Sequence, residues 1–192
     1  MRKINRSEWA FPTFAIPKKN QQIRVVSDLR ELNKVIKRKP YPMPTVQDLL
    51  LGLEGFLYGT SLDLNMGYYH IQLTPFSSSL CTIILPWGKY EYLRLPMGLC
   101  NSPDIFQEAM SDIVAGLEFC RCYLDDLLII SKHSWEDHLN QLEKVFNRLL
   151  NAGLKVNAKK SSFGVSAMEY LGYWITKEGI QPLPKKVKSI TL

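Results

Sequence analysis

The stretch Arg121-Cys122-Tyr123-Leu124-Asp125-Asp126-Leu127-Leu128-Ile129-Ile130-Ser131 places two adjacent carboxylates inside an otherwise apolar run. Apolar residues on both sides predict two short buried strands that are joined by a tight turn. Burying a carboxylate costs free energy unless a cation or several hydrogen-bond donors compensate it, and two neighbouring carboxylates also repel each other. The stretch therefore indicates either a divalent-cation site or a polar hairpin tip that faces water.

Length and composition fit one globular domain, because the chain has 192 residues, of which 46% are hydrophobic and 22% are charged. The net charge of +6 favours a polyanionic partner such as nucleic acid, although proteins that bind no nucleic acid can carry a similar excess. No apolar run is long enough to span a bilayer and no signal peptide is recognised, so no membrane partner is expected. The four cysteines and three histidines complete no zinc pattern, which favours free thiols in a reduced, intracellular setting.

Strand and helix patterns alternate without a regular βαβ rhythm, which favours an α+β fold with a mostly antiparallel sheet packed on helices. Residues 14–16 and 23–26 predict a hairpin with a basic tip around Lys18 and Lys19. A further buried strand within residues 56–64 is predicted to finish at Asp63.

Three helices have predicted N-terminal caps: Thr45 with Asp48 as a capping box, Ser102 with Pro103 in the first turn, and Ser134. The helix that Ser134 caps carries an apolar stripe that is expected to face the core. The members of this stripe are Leu139, Leu142, Val145, Phe146, Leu149 and Leu150.

Asp63, Asp125 and Asp126 converge if their two strands are neighbours in one sheet. Such a carboxylate cluster can hold two Mg²⁺ ions, with Mn²⁺ as a possible substitute, and two-metal sites catalyse phosphoryl transfer. Adjacent residues of a regular strand point to opposite faces of the sheet. Asp125 and Asp126 can therefore both bind metal only if the turn twists their side chains together.

Six segments resemble, in the same order, motifs of the reverse transcriptases of long-terminal-repeat retrotransposons of the gypsy type, with retroviruses next in similarity. Tyr123-Leu124-Asp125-Asp126 matches the Tyr-x-Asp-Asp box of that family. The other five are Arg24-Val25-Val26-Ser27-Asp28-Leu29-Arg30-Glu31-Leu32-Asn33; Leu62-Asp63-Leu64-Asn65-Met66-Gly67-Tyr68-Tyr69; Leu95-Pro96-Met97-Gly98-Leu99 with Asn101-Ser102-Pro103 and Phe106-Gln107; Gly153-Leu154-Lys155-Val156-Asn157 with Lys160; and Tyr170-Leu171-Gly172-Tyr173.

The resemblance implies the fingers and palm of a right-hand polymerase within a single reverse transcriptase region, residues 1–192. Approximately 1–50 and 75–97 would be fingers-like, and approximately 51–74 and 98–181 would form the palm. The thumb, connection and ribonuclease H are expected to be absent from this chain. It would then be a polyprotein fragment or a degenerate copy, located in a cytoplasmic particle or in the nucleus.

The same resemblance implies roles for individual residues. The catalytic residues would be Asp63, Asp125, Asp126 and Lys160, the last as a general acid that protonates the leaving pyrophosphate. The metal ligands would be Asp63, the Leu64 carbonyl, Asp125 and Asp126. The nucleotide-binding residues would be Lys18, Arg24, Leu64, Tyr68 and Met97, and the primer grip would be Leu171 and Gly172.

The residue type matters at three of these positions. Tyr68 occupies the sugar-facing position of the family, where a bulky ring excludes a 2′-hydroxyl, but a tyrosine in this setting can also be plain core packing. Met97 stands where retroviral members often have Gln, and Met cannot make the hydrogen bond that Gln can give to an incoming nucleotide. Gly172 lacks a side chain and would allow the primer strand to approach closely.

The leading hypothesis is an RNA-directed DNA polymerase that adds dNTPs to a primer 3′-hydroxyl on an RNA or DNA template by two-metal phosphoryl transfer. Its expected partners include the ribonuclease H and integrase regions of a parent polyprotein. The second hypothesis is a truncated, catalytically silent nucleic-acid-binding remnant of such a polyprotein. A third, a Mg²⁺ nuclease or another two-metal enzyme, shares the carboxylates but needs neither Arg24 and Asp28 nor Tyr68.

Overall fold

The structure is a computed structural model that describes residues 1–17 and 23–183. The predicted basic hairpin tip, including Lys18 and Lys19, lies outside the described residues. The chain divides into two compact units. Unit 1 comprises Met1–Tyr41 and Met66–Phe106, and unit 2 comprises Pro42–Asn65 and Gln107–Leu192. The assignment of fingers-like and palm-like regions stays a prediction.

Strands and helices alternate along the chain, as the sequence pattern predicted. The strands are β1 (Arg2–Ile4), β2 (Phe11–Pro17), β3 (Ile23–Ser27), β4 (Tyr58–Asp63), β5 (Thr82–Leu85), β6 (Gly88–Glu91), β7 (Cys120–Tyr123), β8 (Asp126–Ser131), β9 (Ser162–Val165), β10 (Ala167–Tyr170), β11 (Tyr173–Thr176) and β12 (Gly179–Pro182). The helices are α1 (Arg30–Val35), α2 (Val46–Leu50), α3 (Pro75–Leu80), α4 (Ser102–Val114) and α5 (Trp135–Asn151), and a 3₁₀ helix covers Gly67–His70.

Unit 1 is built on a five-stranded sheet with the order β1-β6-β5-β2-β3. β2 and β3 pair antiparallel, so the two strands of the predicted hairpin are confirmed. β2 and β5 pair parallel, which is the exception to the antiparallel pattern among the described strands of this sheet. The apolar core of the unit comprises Phe11, Leu29, Leu32, Cys81, Ile83, Tyr92, Leu95 and Leu99.

Unit 2 contains an antiparallel four-stranded sheet with the order β7-β8-β4-β9 and a three-stranded sheet with the order β10-β11-β12. Its buried cluster comprises Leu49, Leu50, Leu53, Phe56, Leu128, Ile130, Met168, Tyr170 and Ile175. Sheets that are packed with helices and are not linked by regular βαβ units confirm the α+β prediction.

Two of the three predicted helix caps are confirmed. The Ser102 cap is wrong, because Ser102 is itself the first residue of α4 and its hydroxyl donates to the Pro96 carbonyl at 2.8 Å. The Thr45 hydroxyl accepts a hydrogen bond from the Asp48 amide while the Asp48 carboxylate accepts one from the Thr45 amide, which completes the capping box of α2. The Ser134 hydroxyl accepts from the Asp137 amide at the start of α5. These caps satisfy backbone N–H groups that have no partner inside the helix.

The predicted core stripe of α5 is half wrong. Leu142, Val145 and Leu149 are buried, but Leu139, Phe146 and Leu150 are 46%, 37% and 74% exposed. At about 100° per residue, the centre of the three exposed side chains lies roughly 90° around the helix from the centre of the three buried ones. His138, which is 0% exposed, lies on the same buried face of the helix as Leu142, Val145 and Leu149. A pattern that counts only apolar residues could not identify it.

None of the helices within residues 1–17 and 23–183 combines the length and the apolar character that crossing a bilayer requires. All four cysteines are free thiols, in agreement with the sequence prediction.

Candidate active site

Asp63 and Asp126 face each other in the sheet of unit 2. β4 and β8 are antiparallel neighbours, and the last residue of β4, Asp63, pairs with the first residue of β8, Asp126. Asp125 lies in the two-residue turn between β7 and β8, and its carbonyl accepts a hydrogen bond of 2.9 Å from the Leu64 amide. The strand pairing that the sequence analysis required for convergence of these carboxylates is therefore present.

The turn that carries Asp125 is held by a buried glutamine. The Gln107 Oε1 atom accepts from the Leu124 amide at 2.7 Å, and its Nε2 atom donates to the Cys122 carbonyl at 3.3 Å. Leu124 has a φ of 53°, in the left-handed region that non-glycine residues rarely adopt. Gln107 thus stabilises a turn whose backbone is unfavourable by itself. Gln107 belongs to one of the sequence motifs, but its role was not predicted, because the atoms through which it holds the turn are main-chain atoms of a distant hairpin.

The local charges explain why this corner of the sheet suits a cation. Burial raises the pKa of Asp126, and the negative charges of Asp125 and Asp63 raise it further. Lys160 counteracts this effect, and its Nζ atom lies 3.2 Å from Asp63 Oδ2. Among the charges of the described residues that act on Asp126, two carboxylates are opposed by Lys160, so this corner keeps an excess of negative charge.

The segment before β9 brings Lys160 to Asp63. The Asp63 amide donates to Ser161 Oγ at 3.2 Å, and the Asp63 carbonyl accepts from the Asn157 amide at 2.8 Å. Ser161 Oγ in turn donates to the Asn157 carbonyl at 2.9 Å. These bonds attach the segment to the end of β4. The sequence analysis predicted a role for Lys160 and missed Ser161, whose partners are again main-chain groups.

A cavity of about 680 Å³ connects Asp63 and Asp126 with the hairpin of β10 and β11. Tyr170 and Tyr173 are paired across this hairpin, which leaves Leu171 and Gly172 as its two-residue turn. Their φ angles are 48° and 81°, and two consecutive positive φ values characterise a type I′ hairpin turn. Backbone conformation therefore gives a reason for glycine at 172 in addition to the predicted close approach of a primer. The cavity lining includes Asp63, Asp126, Lys160, Leu171 and Gly172.

Unit 1 contains the other described residues that were predicted to bind nucleotide. Arg24 is exposed on β3, opposite Ile16. The ring of Tyr68 packs against Phe106, with ring centroids 5.0 Å apart. A Cβ atom at Gly67 would lie 2.5 Å from the Phe106 ring, so glycine is needed for Phe106 to approach this backbone. Phe106 therefore supports the ring of Tyr68, a role that the sequence did not indicate.

Met97 is 46% exposed and begins a loop that is held by Asn33. The Asn33 Nδ2 atom donates to the Gly98 carbonyl at 2.7 Å, and its Oδ1 atom accepts from the Cys100 amide at 2.9 Å. One side-chain amide thus fixes both ends of a short loop. Lys18, the remaining predicted nucleotide ligand, lies outside the described residues.

The donor set fits a hard divalent cation without forming a complete protein cage. In the part of the chain that the structure describes, no group of three or more His, Cys, Asp and Glu side chains is arranged as a metal site. Mg²⁺ usually takes only one or two protein carboxylates and completes its coordination with water and substrate phosphates. The unbalanced charge around Asp126 is therefore the observation that favours a cation here.

Comparisons with known proteins agree with the motif order. Residues 16–175 match the family described as reverse transcriptase (RNA-dependent DNA polymerase). Over 97% of its length the chain is 37% identical to the retrovirus-related Pol polyprotein from transposon 297 of Drosophila melanogaster, of which it covers 18%. It is 34% identical, again over 97% of its length, to the corresponding polyprotein from transposon gypsy, of which it covers 19%. The chain thus spans less than a fifth of these two relatives.

Solved structures show the same relationship. A foamy viral protease–reverse transcriptase in complex with double-stranded DNA matches with a TM-score of 0.90 and 28% identity, covering 97% of this chain and 33% of that one. A second foamy viral protease–reverse transcriptase, in complex with an RNA/DNA hybrid, matches with a TM-score of 0.87 and 28% identity, covering 97% and 25%. The chain belongs to the reverse transcriptase (RNA-dependent DNA polymerase) family.

Proposed function

We propose that this chain adds dNTPs to the 3′-hydroxyl of a primer on an RNA or DNA template, as an RNA-directed DNA polymerase. The observation that carries the proposal is the pairing of Asp63 with Asp126 beside the Asp125 turn, in a member of the reverse transcriptase family. Carboxylates at the adjacent ends of two paired strands are suited to phosphoryl transfer.

In this reaction the primer 3′-oxygen loses its proton and attacks the α-phosphorus of the dNTP, and the bond to pyrophosphate breaks. Lys160 can give a proton to the leaving oxygen, since its ammonium group already lies at the carboxylate cluster. Asp63, Asp125 and Asp126 would hold Mg²⁺, or Mn²⁺ in its place, together with the Leu64 carbonyl. When bound, such a cation would offset the carboxylate charge and neutralise the triphosphate.

The substrate-binding roles that the family resemblance implies are proposed residue by residue. Arg24 and Lys18 would contact the triphosphate, Tyr68 would face the sugar and Met97 would face the incoming nucleotide. The Leu171–Gly172 turn would contact the primer end, because it lines the same cavity as the carboxylates. Support for a duplex substrate comes from the two foamy viral relatives, whose structures contain double-stranded DNA and an RNA/DNA hybrid.

The relatives that cover most of this chain are polyproteins, and the chain corresponds to a small part of each. We therefore propose that it works beside ribonuclease H and integrase regions of a parent polyprotein. An intracellular location, in a cytoplasmic particle or in the nucleus, follows from that assignment.

Primer extension by the purified chain tests the proposal. We expect Mg²⁺-dependent extension of oligo-dT on poly-rA by wild type, and loss of extension in Asp125→Asn, which keeps the side-chain shape but removes a charge. Asp112→Asn, which removes an exposed carboxylate from α4, is the matched control and should extend normally. Activity close to wild type in Asp125→Asn would contradict the metal-binding role.

The same assay separates the competing hypotheses. A wild-type chain that binds primer–template but never extends it would be the silent remnant. A chain that shortens the primer with Mg²⁺ would be a nuclease.

A further inference from the structure

A buried polar chain connects α5 with three strands of the unit 2 sheet. Thr60 on β4, Ser131 on β8 and His138 on α5 are all almost completely buried. The His138 Nε2 atom lies 2.8 Å from Thr60 Oγ1, and its Nδ1 atom lies 2.7 Å from Ser131 Oγ. Ser131 Oγ also bonds Gln141 Oε1 on the next turn of α5, and Thr60 Oγ1 bonds the Gly164 amide on β9 at 3.1 Å. We call these five residues the His138 relay.

The direction of each hydrogen bond follows from the available protons. Gln141 Oε1 only accepts, so the single Ser131 hydroxyl proton goes to it, and Ser131 must accept from His138 Nδ1–H. The neutral ring then accepts at Nε2 from the Thr60 hydroxyl, which itself accepts from the Gly164 amide. All of these polar groups are satisfied when His138 is neutral with its proton on Nδ1. Burial lowers the pKa of His138, which agrees with a neutral ring.

The end of the relay lies at an irregularity in β9. β9 pairs with β4 through Gly59 opposite Val165 and Ser61 opposite Ser162. Two residues of β9 therefore lie opposite the single residue Thr60 of β4. Such a β-bulge leaves a residue without its regular ladder partner. Gly164 has a φ of 59° and donates its amide to the Thr60 side chain. The relay therefore satisfies a backbone N–H group within the bulge.

The aromatic ring of Trp135 packs over the β-bulge at Gly164. A Cβ atom at Gly164 would lie 2.6 Å from the ring of Trp135, so glycine lets that ring lie directly over the bulge. The Trp135 and Tyr58 rings have centroids 5.8 and 6.0 Å from that of His138. Because Thr60, Ser131 and His138 are almost completely buried, breaking one of the hydrogen bonds between them would leave a buried polar group unsatisfied.

The position of the bulge connects it to the candidate active site. β9 begins at Ser162, directly after Lys160 and Ser161, and both of those residues contact Asp63. We propose that His138 is a positioning residue, which through Thr60 holds the bulged β9 on β4 and thereby keeps Lys160 beside Asp63. The catalytic part of this proposal rests on the proposed polymerase function. β-Bulges are frequent next to active sites, where they redirect a side chain.

Two substitutions at Thr60 isolate the hydrogen bond. Thr60→Val keeps the branched shape and removes the hydroxyl, whereas Thr60→Ser keeps the hydroxyl and removes a methyl group. In Thr60→Val we expect faster amide hydrogen exchange at Gly164 and a kcat for dNTP incorporation that is about 10- to 100-fold lower, with KM for dNTP nearly unchanged. Thr60→Ser should resemble wild type in both measurements.

Val145→Ala is the matched control, because it removes buried volume from α5 while every hydrogen-bonding group of the relay remains. The unfolding free energy and the kcat of Val145→Ala are compared with those of Thr60→Val. If both quantities fall equally in the two variants, His138 has only a structural role and the proposal is wrong. Unchanged exchange at Gly164 in Thr60→Val would also overturn it.

A measurement on wild type does not depend on the folding of any variant. The ¹⁵N chemical shifts of His138 should show a proton on Nδ1 and none on Nε2, and a neutral ring protonated on Nε2 would overturn the relay. If wild type extends no primer, the proposed function fails, while amide exchange and the ring tautomer still decide whether the relay holds β9.

Discussion

The carboxylate of Asp126 lies where the fold disfavours its charge, since burial and the nearby Asp125 and Asp63 all raise its pKa. Asp126→Asn removes the repulsion without changing the shape. In divalent-free buffer at neutral pH we therefore expect the variant to have a higher Tm than wild type, although it should not extend primers. Added Mg²⁺ should raise the Tm of wild type more than that of the variant.

The sign of the pH dependence follows from the raised pKa. Because Asp126 takes up a proton more readily in the folded than in the unfolded state, wild type gains stability as pH falls through the raised value towards the ordinary 3.8. Asp126→Asn lacks this gain, so its Tm advantage should shrink on acidification. Thermal unfolding of both proteins across this pH range is the measurement. If Asp126→Asn and Asp112→Asn changed the Tm relative to wild type by the same amount at every pH, charge repulsion at Asp126 would be contradicted.

Tyr68 and Tyr69 are adjacent but have different surroundings. Tyr68 packs against Phe106, whereas Tyr69 stacks on Tyr92, with an interplanar angle of 6°. If the Tyr68 ring faces the sugar, Tyr68→Val opens space for a 2′-hydroxyl. We expect the rNTP/dNTP ratio of kcat/KM to rise at least about tenfold, because a steric block on one hydroxyl exceeds the loss of one methylene contact.

Tyr69→Val is the control for this prediction. It truncates a partly buried ring in the core of unit 1 and should lower the unfolding free energy while leaving the rNTP/dNTP ratio unchanged. Steady-state kinetics on one template with both variants decide between the two roles. If the rNTP/dNTP ratio of kcat/KM changed only in Tyr69→Val, Tyr68 would have only a packing role.

At the scale of elements, the turn between β10 and β11 requires glycine for its backbone. Gly172 has a φ of 81°, where an L side chain costs about 1–2 kcal/mol. Gly172→Ala should therefore lower the unfolding free energy by about that amount. It should also reduce primer extension, since the turn lines the cavity that contains Asp63 and Asp126. Chemical denaturation and primer extension test the two effects separately.

Gly52→Ala provides a matched comparison. Gly52 has a φ of 71°, with no atom within 4 Å of an added Cβ, so the substitution has a similar backbone cost in a different place. It should lower stability like Gly172→Ala while primer extension stays near wild type. Equal losses of extension in both variants would mean that the turn acts only through stability.

The limits of sequence reasoning are clearest in α5 and β9. The spacing of apolar residues predicted α5 and its cap correctly, but it assigned Leu139, Phe146 and Leu150 to the core. The pattern could not exclude them because it does not define the width of the buried face. The bulge in β9 was not predicted either, because Gly164 is recognisable as a bulge residue only once its pairing with β4 is known.

At the scale of the whole molecule, six ordered motifs were enough to predict the family, and Asp63 was predicted to converge with Asp125 and Asp126 if their strands are neighbours in one sheet. The sequence could not show what holds these residues in place. Gln107 and Ser161 bind main-chain atoms of segments that are 15 or more residues away in the chain. Any polar residue can make such bonds, so they leave no pattern in the sequence.

Net charge is a property of the entire chain, and it leads to a prediction about nucleic-acid binding. A protein of charge +6 that tracks a primer–template should release counterions when its basic residues neutralise phosphates. The logarithm of the association constant should then fall linearly with the logarithm of salt concentration, with a slope of about −0.9 per phosphate neutralised on B-form DNA and about −0.7 on a single strand.

Fluorescence anisotropy with duplex and single-stranded oligonucleotides measures both slopes. The Tm over the same salt range serves as the control, because unfolding would also weaken binding. A folded chain whose affinity is unchanged between low and high salt does not neutralise phosphates, and it would not be a polymerase that grips its template through the backbone.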